Sequence, residues 1–230
     1  MPLLRWSVAD SEAMITMTFF QDLPVPEEPR RGRTVRYVPP AWAGAPAHEL
    51  PAVVHIGQFL HRNRNFVLAV ELAKVYSTGC SIDLTWTLRR GEEDDKTWAE
   101  LNGAFFGHPH SMQAIERRPF SALLFGVQLA DGTKARADSM LHSRYPPGTA
   151  KQPDPPILIL QGNGGNGGDD EMAGKGSLWL WPLPPAGDLH LVAQWAELGM
   201  PETSVTIDGG RLREAAAGVQ KYWPAERGPS

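Results

Sequence analysis

The sequence predicts an all-β protein, an antiparallel β-sandwich of about eight to ten strands with one C-terminal α-helix and an extended N-terminal tail. Three observations predict it. In CSIDLTWTLRR (80–90), Ile82, Leu84, Trp86 and Leu88 alternate with Asp83, Thr85, Thr87 and Arg89, the period of a strand with one buried face. Near the C-terminus, SLWLWPL (177–183), DLHLVAQW (188–195) and TSVTI (203–207) are separated by Pro/Gly turns at short intervals, as in a sandwich. Extended helical spacing comes only at the end. There Leu212, Ala215, Ala216, Val219 and Trp223 follow Asp208, a cap candidate, and precede Pro224, a stop.

Taken in order, residues 1–33 end in DLPVPEEPRRGR and suit a tail or linker. A single domain is expected over 34–224, with a disordered tail at 225–230. VRYV (35–38) and AVVHI (52–56) are short β-branched runs bounded by prolines and read as strands. FVLAVELAKVY (66–76) has helix-favouring residues, but its closeness to the strand at 80–90 favours a hairpin, and helix stays open as the alternative. After GEEDD (91–95), Trp98, Leu101 and Phe105 predict at most one or two helical turns, because Gly103 interrupts them. Leu123, Phe125, Val127 and Leu129 share a face before the turn Asp131-Gly132, a second hairpin. Residues 144–156 read as a loop, and ILIL (157–160) as a buried strand. QGNGGNGGDDEMAGKG (161–176) predicts a mobile low-complexity loop, and a helix is expected over 210–223.

Composition narrows the function classes. Of 230 residues, 42% are hydrophobic and 21% charged, values that support a packed core. A net charge of -4 disfavours a protein built around nucleic acid. The single cysteine, Cys80, cannot form an internal disulfide, and the acidic residues Asp10 and Glu12 interrupt any signal core. No run approaches the roughly 20 apolar residues of a membrane helix. A soluble, cytoplasmic, bacterial protein is expected.

The string Trp179-Leu180-Trp181-Pro182-Leu183-Pro184-Pro185 is followed by Gly187, Leu189, Trp195, Gly199, Pro201-Glu202, Asp208-Gly209, Leu212, Ala215-Ala216 and Trp223-Pro224. With LPAVVHIGQFLHR (50–62) and the Gly-rich tract before it, this pattern resembles a family of uncharacterised β-rich proteins from high-GC bacteria. The resemblance is discontinuous over roughly 34–224. Ala196 stands where that pattern has proline after Trp195. No activity comes with the resemblance.

Several groups could carry chemistry. His108, His110 and Glu116, between Gly103 and Gly126, resemble the first metal motif of the cupins. The spacings depart from that motif, and Pro109 removes a backbone donor between the histidines. The run ending Gly174-Lys175-Gly176-Ser177 fails as a phosphate loop: Asp169 stands at the first glycine position, Gly176 follows the lysine, and a strand follows. Trp179 and Trp181 share a strand face and could form an aromatic platform for a sugar or peptide, although Leu180 between them favours burial. Arg30, Arg31, Arg33, Arg36, Arg62 and Arg64 form a basic cluster that reads as solvated surface. Cys80 reads as a buried thiol, and Glu71 and Asp83 as carboxylates able to face each other across the first hairpin.

The expected function is a non-catalytic binding or interaction module, with no cofactor and with a protein partner or self-association. Its expected surface comprises the 91–112 region, the 161–176 loop with Asp169 and Asp170, and Trp179 and Trp181. Two alternatives stand beside it. One is a cupin-like enzyme holding a divalent metal at His108, His110 and Glu116. The other is a structural subunit pairing through a Trp-rich edge at 177–185.

Overall fold

The computed structural model describes residues 38–105, 123–137 and 152–223, all within the compact unit Val38–Ser230. The tails expected at 1–33 and 225–230 lie outside the described residues. Of the strand expected at 35–38 only Val38 is described, and it is exposed and outside any strand. In chain order the elements are β1 (Glu49–Leu50), β2 (Ala52–Arg62), β3 (Phe66–Val75), β4 (Cys80–Arg89) and α1 (Asp95–Phe105). Next come β5 (Leu124–Gln128), β6 (Lys134–Arg136), β7 (Ile157–Gly167), β8 (Glu171–Trp181) and β9 (Asp188–Trp195). The last are β10 (Met200–Asp208), α2 (Gly209–Ala215) and β11 (Gln220–Lys221).

Two antiparallel sheets pack face to face, one ordered β2-β3-β4-β8-β7 and the other β10-β9-β5-β6, while β1 and β11 form a short separate pair. The alternation read from β4 explains the first sheet. Ile82, Leu84, Trp86 and Leu88 point inward, where Leu68 and Val70 of β3 and Leu178 and Leu180 of β8 join them. Phe125, Val127, Leu191, Ala193, Trp195, Val205 and Ile207 meet them from the second sheet. Burying each Val, Leu, Ile or Phe side chain among them contributes about 1.5–3 kcal/mol. The segment 66–76 is a strand in a hairpin, paired from Phe66↔Leu88 to Val75↔Cys80. The rows Phe66, Leu68, Val70 and, past a bulge, Ala73 and Val75 are buried, so burial of a strand-period face overrides helix propensity. The hairpin at 124–136 and the strand at 157–160 also form as the pattern predicts.

Four expectations need correction. The Gly-rich tract at 161–176 is not a loop: it forms most of the β7–β8 hairpin, and β8 is paired with β4 from Cys80↔Leu180 to Arg89↔Glu171. Ladder hydrogen bonds on both sides of β8 offset the entropy that its glycines lose. Consequently 177–181 is no sheet edge, because β8 lies between β4 and β7. Helix α1 runs for 11 residues instead of one or two turns. Asp94 caps it by accepting from the Thr97 amide at 2.7 Å, and that backbone bond, with the Thr97 hydroxyl, holds the Asp94 carboxyl below the usual range. Trp98 and Phe105 then anchor the helix in the core.

The C-terminal helix is shorter than its pattern. α2 ends at Ala215, a 3-10 turn spans Ala216–Gly218, and Val219 is extended. Gln220 and Lys221 instead pair with β1, so Trp223 is carried away from the core and is exposed. The cap is as expected: the Asp208 carboxylate accepts from the amides of Gly210 at 2.8 Å and Arg211 at 3.2 Å, and Leu212 is buried. Asp208→Ala is expected to lose about 1 kcal/mol, read as a fall of roughly 2–4 °C in Tm. An unchanged melting curve would mean that the helix start is held by packing alone.

Candidate functional site

The outer face of the five-stranded sheet divides into a covered end and an open middle. At the covered end, Ile157 and Ile159 of β7 and Trp179 of β8 lie beneath a 3-10 turn, Ala41–Ala43, with Trp42 and Ala43 completing a second apolar cluster. Two side-chain bonds pin this turn. The Trp179 indole donates to the Ala41 carbonyl at 3.1 Å, and Gln161 Nε2 donates to the Ala43 carbonyl at 3.0 Å. Next to it, the register places Asp83 of β4 beside Ser177 of β8, and Ser177 beside Gln161 of β7.

There the sheet opens into a cleft of about 460 Å³, lined chiefly by Glu71, Lys74, Asp83, Gln161, Lys175 and Ser177. Bulges interrupt the ladder on both sides. One falls between Val70 and Leu72, at Glu71, and the other between Gln161 and Gly164. Bulges bend a strand and re-aim its side chains, and they recur beside functional sites. Within the cleft Lys74 Nζ lies 2.6 Å from Asp83 Oδ2, and the Ser177 hydroxyl donates to the Gln161 carbonyl at 3.3 Å. Among the described residues the side chains of Glu71 and Lys175 have no hydrogen-bond or ion-pair partner.

The two loop regions expected to form a surface do meet where they are described. Asp169 and Asp170 lie at the exposed tip of the β7–β8 hairpin, against the start of α1. The Arg90 amide donates to the Asp170 carbonyl at 2.8 Å, and the Trp98 indole donates to the Gly168 carbonyl at 3.0 Å. Arg90 is committed to this joint: Nη2 lies 2.7 Å from Asp95, Nε donates to the Glu93 carbonyl at 3.0 Å, and Nη1 reaches the Asp169 carbonyl at 3.4 Å. A hollow of about 410 Å³ lies beside it. With its guanidinium spent on protein groups, Arg90 is a strut holding the hairpin tip to the helix.

The aromatic platform is corrected. Trp179 has no exposed surface, and Trp181 is half-buried against the same cluster, because the turn at 41–43 covers the face that they share. Cys80 is fully buried, and burial pushes its thiol up to about 12, so it supplies no thiolate nucleophile. His108, His110 and Glu116 lie outside the described residues. Among the described residues no group of three or more His, Cys, Asp or Glu side chains could hold a metal ion. Of the paired carboxylates read from the sequence, Glu71 and Asp83 both line the cleft, but Asp83 is held by Lys74.

No family model, curated protein or solved structure matches this chain. The likeness to a family of high-GC bacteria therefore rests on the residues quoted for it. No helix among the described residues is long and apolar enough to cross a membrane.

Proposed function

We propose that the protein is a non-catalytic binding module whose ligand site is the cleft on the outer face of the five-stranded sheet. The observation that carries this reading is the pair of charges, Glu71 and Lys175, whose side chains are uncommitted among the described residues and which stand on strands hydrogen-bonded on both sides. A charged side chain without a partner in a concave site is available to a ligand at little reorganisation cost. The cleft's size falls in the range of about 300–1,000 Å³ typical of small-molecule sites, while its lining of charges, a hydroxyl and an amide suits a hydrophilic ligand. Binding is favoured over catalysis by the state of Ser177. Its hydroxyl donates to a backbone carbonyl, and among the described residues neither histidine nor cysteine lines the cleft to act as a base or nucleophile.

Gly164 provides the test. It lines the cleft, its φ is not positive, and a Cβ built there meets nothing within 4 Å. Gly164→Phe is therefore expected to fold normally while filling the site. Wild type and variant are titrated with sugars, polyols, carboxylic acids, amines and amino acids, following backbone amide shifts. A bound compound is expected to move the amides of Glu71, Asp83, Lys175 and Ser177, and to bind roughly tenfold or more weakly in Gly164→Phe. Shifts that cluster elsewhere, or that survive the substitution, would overturn the reading.

A further inference from the structure

We infer that the ligand is a small zwitterion of the α-amino acid class, its ammonium held at Glu71 and its carboxylate at Lys175. The inference rests on the cleft being the binding site. Four charged side chains line it, and two of them, Lys74 and Asp83, neutralise each other at 2.6 Å. What remains is one carboxylate and one ammonium, so the open part of the cleft is electroneutral with its two signs separated. A simple anion would satisfy Lys175 while leaving repulsion at Glu71, and a simple cation would do the reverse. A ligand carrying both charges satisfies both.

The strand order allows this accounting. Glu71 is on β3 and Lys175 on β8, with β4 between them. Two steps of about 4.8 Å put those backbones about 10 Å apart. In an α-amino acid, bonds of about 1.5 Å place the ammonium nitrogen about 3 Å from the carboxylate oxygens. Adding a charge-assisted hydrogen bond of about 2.8 Å at each end gives a span of about 9 Å between the two charged atoms, a separation that flexible side chains rooted two strands apart can adopt. Among the described residues Glu71 and Lys175 form no ion pair with each other or with another group. Two further polar groups line the cleft beside Lys175: Ser177, two residues on along β8, and Gln161 on the neighbouring β7. Gln161 spends its amide nitrogen on the Ala43 carbonyl, which leaves its side-chain oxygen to accept from an ammonium, and the Ser177 hydroxyl keeps its lone pairs.

The experiment uses the full chain and follows the amide shifts of the cleft. Each proteinogenic amino acid is titrated, and the best binder is compared with its N-acetyl derivative, which has lost the cation, and with its amide, which has lost the anion. The free amino acid is expected to bind at least about tenfold more tightly than either derivative. Glu71→Gln is expected to erase the preference over the N-acetyl form, and Lys175→Met the preference over the amide. If both derivatives bind at the cleft as well as the parent, the zwitterion inference is wrong and the cleft stands. The same holds if no amino acid moves the cleft amides while a sugar, polyol, amine or simple acid does. If no compound of any of these classes moves them, both readings fall together.

Discussion

Trp179→Ala is expected to lower stability by about 3–5 kcal/mol, a fall of roughly 10 °C in Tm for a chain of this size. The indole has no exposed surface, and it fills the space between the five-stranded sheet and the turn at 41–43. Its removal leaves a cavity among Trp42, Ile157, Ile159 and the Tyr76 ring, whose centroid is 5.8 Å away in edge-on contact. It also strips the Ala41 carbonyl of its donor. Trp179→Phe separates the two contributions: most of the ring volume stays and the hydrogen bond goes, so a smaller loss of about 1–2 kcal/mol is expected. A surface tryptophan would behave differently, since truncating it changes stability by less than about 0.5 kcal/mol. Chemical denaturation of the two variants decides the matter, and a near-zero effect of Trp179→Ala would restore the aromatic-platform reading.

That contrast shows where the sequence was legible. The alternation in 80–90 specified a strand, its inward face and the hairpin with 66–75, because one buried face fixes register. The same reasoning placed Trp179 and Trp181 on one face. It could not see the cover, since the turn that buries them is about 138 residues away in sequence. The cleft was illegible for a related reason. Glu71, Asp83, Gln161 and Lys175 come from four strands, and only the ladder order β3-β4-β8-β7 makes them neighbours. The bulges that open it are register shifts, which composition does not record. In the glycine-rich tract, composition reported a high entropy cost but not the two neighbouring strands that offset it. Helical spacing after Asp208 predicted a helix correctly at its capped start and failed at its end, where pairing of 220–221 with β1 captured the chain.

Gly174 shows why that tract carries glycine at one of its positions, and it sets up the second large effect. It lies opposite Trp86 in the ladder, and a Cβ built on it falls within 3 Å of the indole nitrogen and two adjacent ring carbons. Trp86 is buried, with the Phe105 ring centroid 6.3 Å away, so the indole has little room to retreat. Gly174→Ala is therefore expected to cost about 2–3 kcal/mol, an overpacking penalty. The cause can be isolated. Phenylalanine at 86 lacks the indole nitrogen, and that Nε1 is buried with no hydrogen-bond partner among the described residues, so Trp86→Phe forfeits packing but no hydrogen bond there. Its own cost is expected to be about 1–2 kcal/mol. Because the smaller ring removes the atoms that a Cβ would strike, the double variant is expected to be more stable than the sum of the single losses predicts, by about 1–2 kcal/mol. Additive losses would place the penalty of Gly174→Ala in the backbone of β8 rather than in the indole above it.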